Sequence, residues 1–250
     1  MTIKFGLIGK GTISERHIKA IKSIGGELVQ FYDPAYSNLK IEELFNYDFD
    51  YTIICSPSNY HYEHTKLALK NNKKIIIEKP QNLSWQPVID NDNINIVLQY
   101  NWLENFPEKA DIVEVVMARD EKYFKSWKGD IQKTGGVFPL LFIHYLDLAI
   151  KLNAKFSGLV IPNGEQIRRI DDFDLTKVDM DSLYSRMYHD ICYNDKGIKP
   201  KDTMFLNWIM ERSGWLYGHG YDILGKRIEF KPNDLIDLIE TERILKWKKF

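Results

Sequence analysis

Two cysteines in 250 residues are too few for a disulfide framework, and Cys55 falls inside a run that reads as a buried strand. A reducing compartment is therefore expected. No apolar run approaches the roughly 18 residues that cross a bilayer. Met1 to Phe5 leads straight into a strand and a glycine turn rather than a signal-type apolar region with a cleavage site, so we expect a cytoplasmic protein with no membrane partner. Neither sign of charge is in excess. With 34 Lys and Arg against 35 Asp and Glu, the chain lacks the electrostatic footprint of a nucleic-acid binder. The pair Lys73-Lys74 and the cluster Lys246, Lys248, Lys249 read as solvated faces. Metal-ligand spacing is missing too: His61 and His64 can share a helical face, but no cysteine or third ligand accompanies them, and no metal is expected.

What is present is an ordinary apolar fraction, 44%, enough for one large or two small cores. Short apolar runs at Ile3 to Ile8, Leu28 to Tyr32, Asp50 to Cys55, Lys74 to Ile77 and Ile94 to Gln99 alternate with helical patterns at Glu15 to Ser23, Ile41 to Phe45 and Glu63 to Leu69. This alternation predicts a Rossmann-type parallel sheet over residues 1–100.

After Asn101 the rhythm changes. Strands are expected at Asp111 to Met117, at Phe156 to Ile161 and Gln166 to Ile170 around a Pro162-Asn163-Gly164 turn, and at Ile228 to Phe230. Helices are expected at Val137 to Leu152, Leu183 to Tyr193, Lys201 to Arg212 and from Asn233 or Asp234 through Ile239. Residues 101–250 thus read as a reduced α+β domain for substrate binding and oligomerisation.

Gly9 and Gly11 fill the first two positions of G-x-G-x-x-G, with Thr12 and Ile13 between them and Ser14 at the third. The first glycine permits the tight turn, the second lets a pyrophosphate approach the backbone, and the helix start meets its charge. Alone the motif is weak. Asp33 at the end of the second strand strengthens it, because a carboxylate there can take both ribose hydroxyls, and it favours NAD over NADP by like-charge repulsion of a 2′-phosphate. Ser56-Pro57-Ser58-Asn59-Tyr60-His61 follows the third strand and Glu78-Lys79-Pro80 the fourth, both at the carboxyl edge where such sheets bind ligands. Lys79 is placed to donate to a substrate oxygen, with Pro80 stiffening its turn.

With those stretches, Arg16-His17, Tyr32-Asp33-Pro34, Ile54-Cys55-Ser56-Pro57, Leu98-Gln99, Ser126-Trp127-Lys128-Gly129-Asp130, Thr134-Gly135-Gly136 and Ile143-His144 with Asp147, the sequence resembles the Gfo/Idh/MocA oxidoreductases. Within them it is most similar to UDP-N-acetylglucosaminuronate 3-dehydrogenases of surface-polysaccharide biosynthesis. The resemblance implies NAD held by Gly9, Gly11, Thr12, Ile13, Asp33, Ser56, Pro57, Asn59, His61, Glu78, Lys79, Gln99 and Trp127. It implies Lys79 and His144 as catalytic residues, a nucleotide-sugar substrate oxidised at C3, and a homo-oligomer. Asp147 could set the tautomer of His144, and Lys128 or Arg119 could meet a phosphate or carboxylate. The chain departs from the pattern in two places. Leu140 stands four residues before His144, where the family carries Asp or Asn, and Lys155 to Asp181 is shorter than the family's sheet region. These departures leave open a non-catalytic relative that binds a dinucleotide or nucleotide sugar as a partner or regulatory subunit.

Overall fold

Ile75, Ile76 and Ile77 are all completely buried, as happens when both faces of a parallel sheet are covered. In the computed structural model, which describes residues 2–217 and 224–232, they form the fourth of ten strands. The chain runs β1 (Lys4–Ile8), α1 (Ser14–Ser23), β2 (Glu27–Tyr32), β3 (Tyr51–Ile54), α2 (Ser58–Lys70), β4 (Lys74–Ile77), β5 (Ile94–Ile96), β6 (Ile112–Ala118), α3 (Glu121–Lys125), α4 (Ile131–Thr134), α5 (Ile143–Lys151), β7 (Lys155–Ile161), β8 (Ile167–Ile170), β9 (Phe173–Asp174), α6 (Met180–Tyr193), α7 (Pro200–Tyr217) and β10 (Arg227–Phe230). The helix expected from Asn233 or Asp234 lies outside the described residues.

Two compact units share this chain, and they interleave. One comprises the described residues through Leu103, Gln132–Gly135 and Asp179–Asn207; the other takes Glu104–Ile131, Gly136–Val178 and the described residues from Trp208. The first unit holds a parallel sheet in the order β2-β1-β3-β4-β5. Its strand order reverses between β1 and β3, and ligands bind outside the carboxyl ends of the strands at such a switch point. One face of the sheet is closed by α1 and α6. Phe5, Leu7, Ile53, Ile76 and Val97 from the sheet meet Ala20 and Ile21 of α1 and Tyr184, Met187, Tyr188 and Ile191 of α6 in one buried cluster. Outside this core, Asp181 accepts from Arg16 at 3.0 Å and Lys19 at 2.8 Å, which fixes α6 along α1.

The second unit holds a mixed sheet in the order β10-β7-β6-β8-β9, with β6 parallel to β7 and the other pairs antiparallel. Phe138, Phe142, Phe156 and Phe230 form a chain of ring contacts with centroids 5.3–5.6 Å apart. Glu114, buried in β6, is held between Arg169 and Arg227 at 2.8 Å each. Burial pushes its carboxyl up, but the two guanidiniums outweigh burial and hold it below the usual glutamate range.

Three differences from the pattern reading bear on the candidate site, and α3, α4 and β9 are elements which that reading does not contain. Helix α2 starts at Ser58, five residues before Glu63, because Pro57 suits a helix entry; Asn59 and His61 therefore sit on the helix rather than on a loop. Strand β5 ends at Ile96, and Gln99 opens a short 3-10 turn. The helix expected over Val137 to Leu152 begins as a π-type turn at Phe138–Phe142 and becomes α5 only at Ile143. Pro139 has no amide for the helical ladder, and Gly135 (φ +76°) and Gly136 (φ +102°) lead into it. A wide turn thus lies between Leu140 and His144, so the α-helical i,i+4 rule does not describe their relation.

Candidate active site

The carboxyl ends of β1, β2, β3, β4 and β5 and the segments that follow them carry the sequence-predicted residues of the first unit. At β1, Gly9 has φ +91°, and a Cβ there would lie 2.7 Å from the Cys55 carbonyl carbon and the Ser56 nitrogen. Only glycine fits. A Cβ on Gly11 would meet nothing within 4 Å, so the space over this turn is open to an incoming group. Ser14 keeps the third position small and completely buried, and its hydroxyl closes the turn by donating to the Gly11 carbonyl at 2.7 Å. Helix α1 begins after Ile13 with no side-chain cap, so Thr12 and Ile13 lie where a helix start meets an anion.

Asp33 is anchored on both oxygens. Oδ2 accepts the Lys10 amide at 2.7 Å and Oδ1 the Ala35 amide at 2.8 Å, which ties the end of β2 to the glycine turn. Each carboxylate oxygen retains a second acceptor site, which suits the two hydroxyls of a ribose.

At the end of β3, Ser56 and α2 form a histidine-braced corner. His61, buried, places Nδ1 2.6 Å from the Pro80 carbonyl and Nε2 2.8 Å from the Ser56 carbonyl. Burial lowers its pKa, with both carbonyls pulling the other way. A neutral ring has one N–H and can donate to only one of them. His64 meets the Ser56 hydroxyl through Nδ1 at 2.9 Å, and burial, aided by His61, lowers its pKa to about 4. His61 thereby links the turn after β3 to the turn after β4; it acts here as a brace between backbones.

The turn after β4 is held from below. Buried Glu78 accepts the Tyr184 hydroxyl at 3.0 Å and meets His17 Nε2 at 3.1 Å, both on Oε1, while His17 Nδ1 lies 2.6 Å from the Tyr188 hydroxyl. With the imidazole proton on Nε2, His17 donates to Glu78, Tyr188 donates to Nδ1 and every bond has a donor and an acceptor. Burial raises the pKa of both phenols, and the Glu78 charge adds to the rise, so they remain donors. Lys79 follows as a half-buried residue in a cis peptide bond with Pro80. The Asn59 Oδ1 and the Gln99 Oε1 are buried with no partner among the described residues, two acceptors for a donor that those residues do not supply. His17, Tyr184 and Tyr188 have no role in the sequence reading; Arg16-His17 stands out as a motif, but the tyrosines arrive from residues more than a hundred positions away.

His144 and Trp127 belong to the second unit. His144 is half-buried between the buried Ile143 and Tyr145, so its ring is not sealed in the core. Asp147 binds Lys151 at 2.9 Å. Trp127 sits on a 3-10 turn, 39% exposed.

Residues 3–91 match the GFO_IDH_MocA oxidoreductase family, NAD-binding Rossmann fold, and this segment has that fold. The WlbA (WbpB) dehydrogenase from Thermus thermophilus, solved with NAD and UDP-GlcNAcA, is 20% identical over 84% of this chain and 94% of its own, with a TM-score of 0.65. The same dehydrogenase with NAD and alpha-ketoglutarate gives a TM-score of 0.66 at the same identity and coverage. A putative myo-inositol dehydrogenase from Sinorhizobium meliloti 1021 is 14% identical over 85% of this chain and 96% of its own, with a TM-score of 0.59. The likeness therefore spans both units at the level of fold. No described helix is long and apolar enough to cross a membrane.

Proposed function

We propose that this chain is a cytoplasmic NAD-dependent dehydrogenase that oxidises the C3 hydroxyl of a UDP-N-acetylhexosaminuronate, acting as a homo-oligomer. The observation that carries the reading is the carboxyl edge of the parallel sheet. A glycine turn with open space over Gly11, a ribose-type carboxylate at Asp33, acceptors at Asn59 and Gln99 without a partner among the described residues, and Lys79 all lie on strand ends, turns or the first turn of α2 in one unit. The residues fit a dinucleotide: Gly9, Gly11, Thr12 and Ile13 for the phosphates, Asp33 for the ribose, and Ser56, Pro57, Asn59, His61, Glu78, Lys79 and Gln99 along the remaining edge; Trp127 is assigned to the cofactor by the family resemblance. Likeness to a dehydrogenase solved with NAD and UDP-GlcNAcA supports the substrate class.

A nicotinamide dinucleotide held by these residues would supply the hydride acceptor for the carbon being oxidised. The protein's part is to orient the sugar and move the proton. His144 takes the proton of the C3 hydroxyl as general base, a role for which a neutral imidazole nitrogen is suited. The Lys79 ammonium donates to the same oxygen and favours the alkoxide character that develops as the proton leaves. The buried bonds to Glu78 hold the backbone from which Lys79 projects.

The test is NADH formation, followed by absorbance, with UDP-N-acetylglucosaminuronate as substrate. Turnover is expected in the wild type, with a loss of at least ~100-fold in Lys79→Met and in His144→Asn. Tight NAD binding with no turnover on a panel of nucleotide sugars would overturn the enzyme reading and assign the chain as a binding or regulatory relative.

A further inference from the structure

The second unit contains an open cavity of about 490 Å³ lined by Ala118, Arg119, Asp120, Tyr123, Lys128 and Pro162, within the roughly 300–1,000 Å³ range of small-molecule sites. Two cations and a single carboxylate, Asp120, line it. The Arg119 guanidinium and the Lys128 ammonium each lie 5.1 Å from the centre of the Tyr123 ring, and neither is ion-paired among the described residues. The one carboxylate of the lining, Asp120, is engaged in capping α3 by accepting the Tyr123 amide at 2.8 Å.

The local chain is built to hold this arrangement. Arg119 Nη1 donates to the Ala118 carbonyl at 2.6 Å, which fixes the guanidinium at the end of β6, while its Nε is buried with no partner. Lys128 is presented by the turn after α3. The Ser126 hydroxyl donates to the Tyr123 carbonyl at 2.6 Å and accepts the Lys128 amide at 3.3 Å. Any Cβ on Gly129 would collide with the Phe124 carbonyl, so glycine lets this turn press against α3 and carry Lys128 over the ring. A buried guanidinium N–H without an acceptor, beside a second cation that repels it, is unfavourable unless an anion joins them. A guanidinium supplies a planar fork and an ammonium a mobile point charge, a pairing suited to phosphate oxygens.

We propose that the Arg119–Tyr123–Lys128 cavity binds the diphosphate of the nucleotide-linked substrate, with the two cations on the phosphates. This rests on the nucleotide-sugar reading above and deepens it. Arg119 and Lys128 are then affinity determinants for the nucleotide part, separate from the NAD phosphates at the glycine turn.

The experiment is calorimetric titration of the full chain with UDP, UDP-N-acetylglucosamine, glucuronate and NAD, in the wild type and in Arg119→Gln and Lys128→Gln, alongside turnover assays. We expect UDP and UDP-N-acetylglucosamine to bind at least ~10-fold more weakly in each variant, as for loss of a charge-assisted hydrogen bond, with NAD affinity and melting temperature retained. Lys128 is exposed, so Lys128→Glu serves as a second variant that folds and should weaken UDP further. Wild-type-like UDP binding in the variants, in an enzyme that turns over nucleotide sugars, would overturn the diphosphate site and leave the proposed activity standing. A loss restricted to glucuronate and other uronates would overturn it in favour of a carboxylate site. Turnover of unlinked sugars, with no affinity for UDP in the wild type, would overturn both.

Discussion

Tyr184 and Tyr188 place two hydroxyls under the Glu78-Lys79-Pro80 turn, and their value can be read from single oxygen deletions. In Tyr184→Phe, Glu78 Oε1 loses a donor in a site where little water can replace it. A loss of about 1–2 kcal/mol in urea unfolding is expected. Tyr188→Phe leaves His17 Nδ1 without its 2.6 Å partner and should cost a similar amount. If either change were neutral, the bonds beneath the turn would contribute nothing to holding it. Gly9 and Asp33 stand out in the sequence through their places in a short motif, although the groups that constrain them, the Cys55–Ser56 backbone against Gly9 and the Lys10 amide on Asp33, come from residues distant in the chain. The tyrosines are different. On α6 they fit an amphipathic pattern as plain core residues, and only the packed structure shows their hydroxyls reaching a histidine and a glutamate.

Helix α2 carries two histidines whose pKa values burial lowers, so its stability depends on pH. His64 in the folded chain titrates at about 4, against about 6.5 in an unfolded chain. Its folded pKa is depressed, so between those values the unfolded chain binds more protons. Stability is complete above about pH 6.5 and falls as the pH drops toward 4; His61, lowered in the same direction, adds to the loss. Between about pH 7 and pH 4.5 a decrease on the order of 2 kcal/mol in unfolding free energy is expected from His64. Chemical denaturation across that range measures it, and His64→Gln should flatten the slope. An unchanged slope in that variant would remove His64 as its source. Both histidines were visible in the sequence as a pair at i,i+3, but their partners were not, since carbonyls of Ser56 and Pro80 have no side-chain signature. The π-type turn before α5 was hidden for a similar reason. Apolar residues continue unbroken through Pro139, so hydrophobic spacing alone extends one helix across the whole segment.

At the scale of the whole molecule, the parallel sheet was legible because each strand-turn-helix step is local, and the second sheet because its strands flank recognisable turns. The return of Asp179–Asn207 to the first unit was not legible. Periodicity shows that α6 has an apolar face and leaves open what that face covers. Tyr184, Met187, Tyr188 and Ile191 are each buried to within 2%, and at roughly 1.5–3 kcal/mol per large apolar side chain their burial is comparable with the whole stability of an ordinary domain. A chain ended before Asp179 is therefore expected to lose its cooperative thermal transition and to bind a hydrophobic dye. A sharp calorimetric transition in such a fragment would show that the sheet stands without α6.

Because α6 seals a core begun at Phe5, the ribosome must synthesise the chain through Tyr193 before the parallel-sheet unit can close. At ordinary elongation rates of about 5–20 residues per second, the half-covered sheet waits on the order of several seconds with an apolar face uncovered. During synthesis that interval is when chaperones have most to shield, and a codon change that slows translation between β5 and α6 would lengthen it while leaving the finished protein identical.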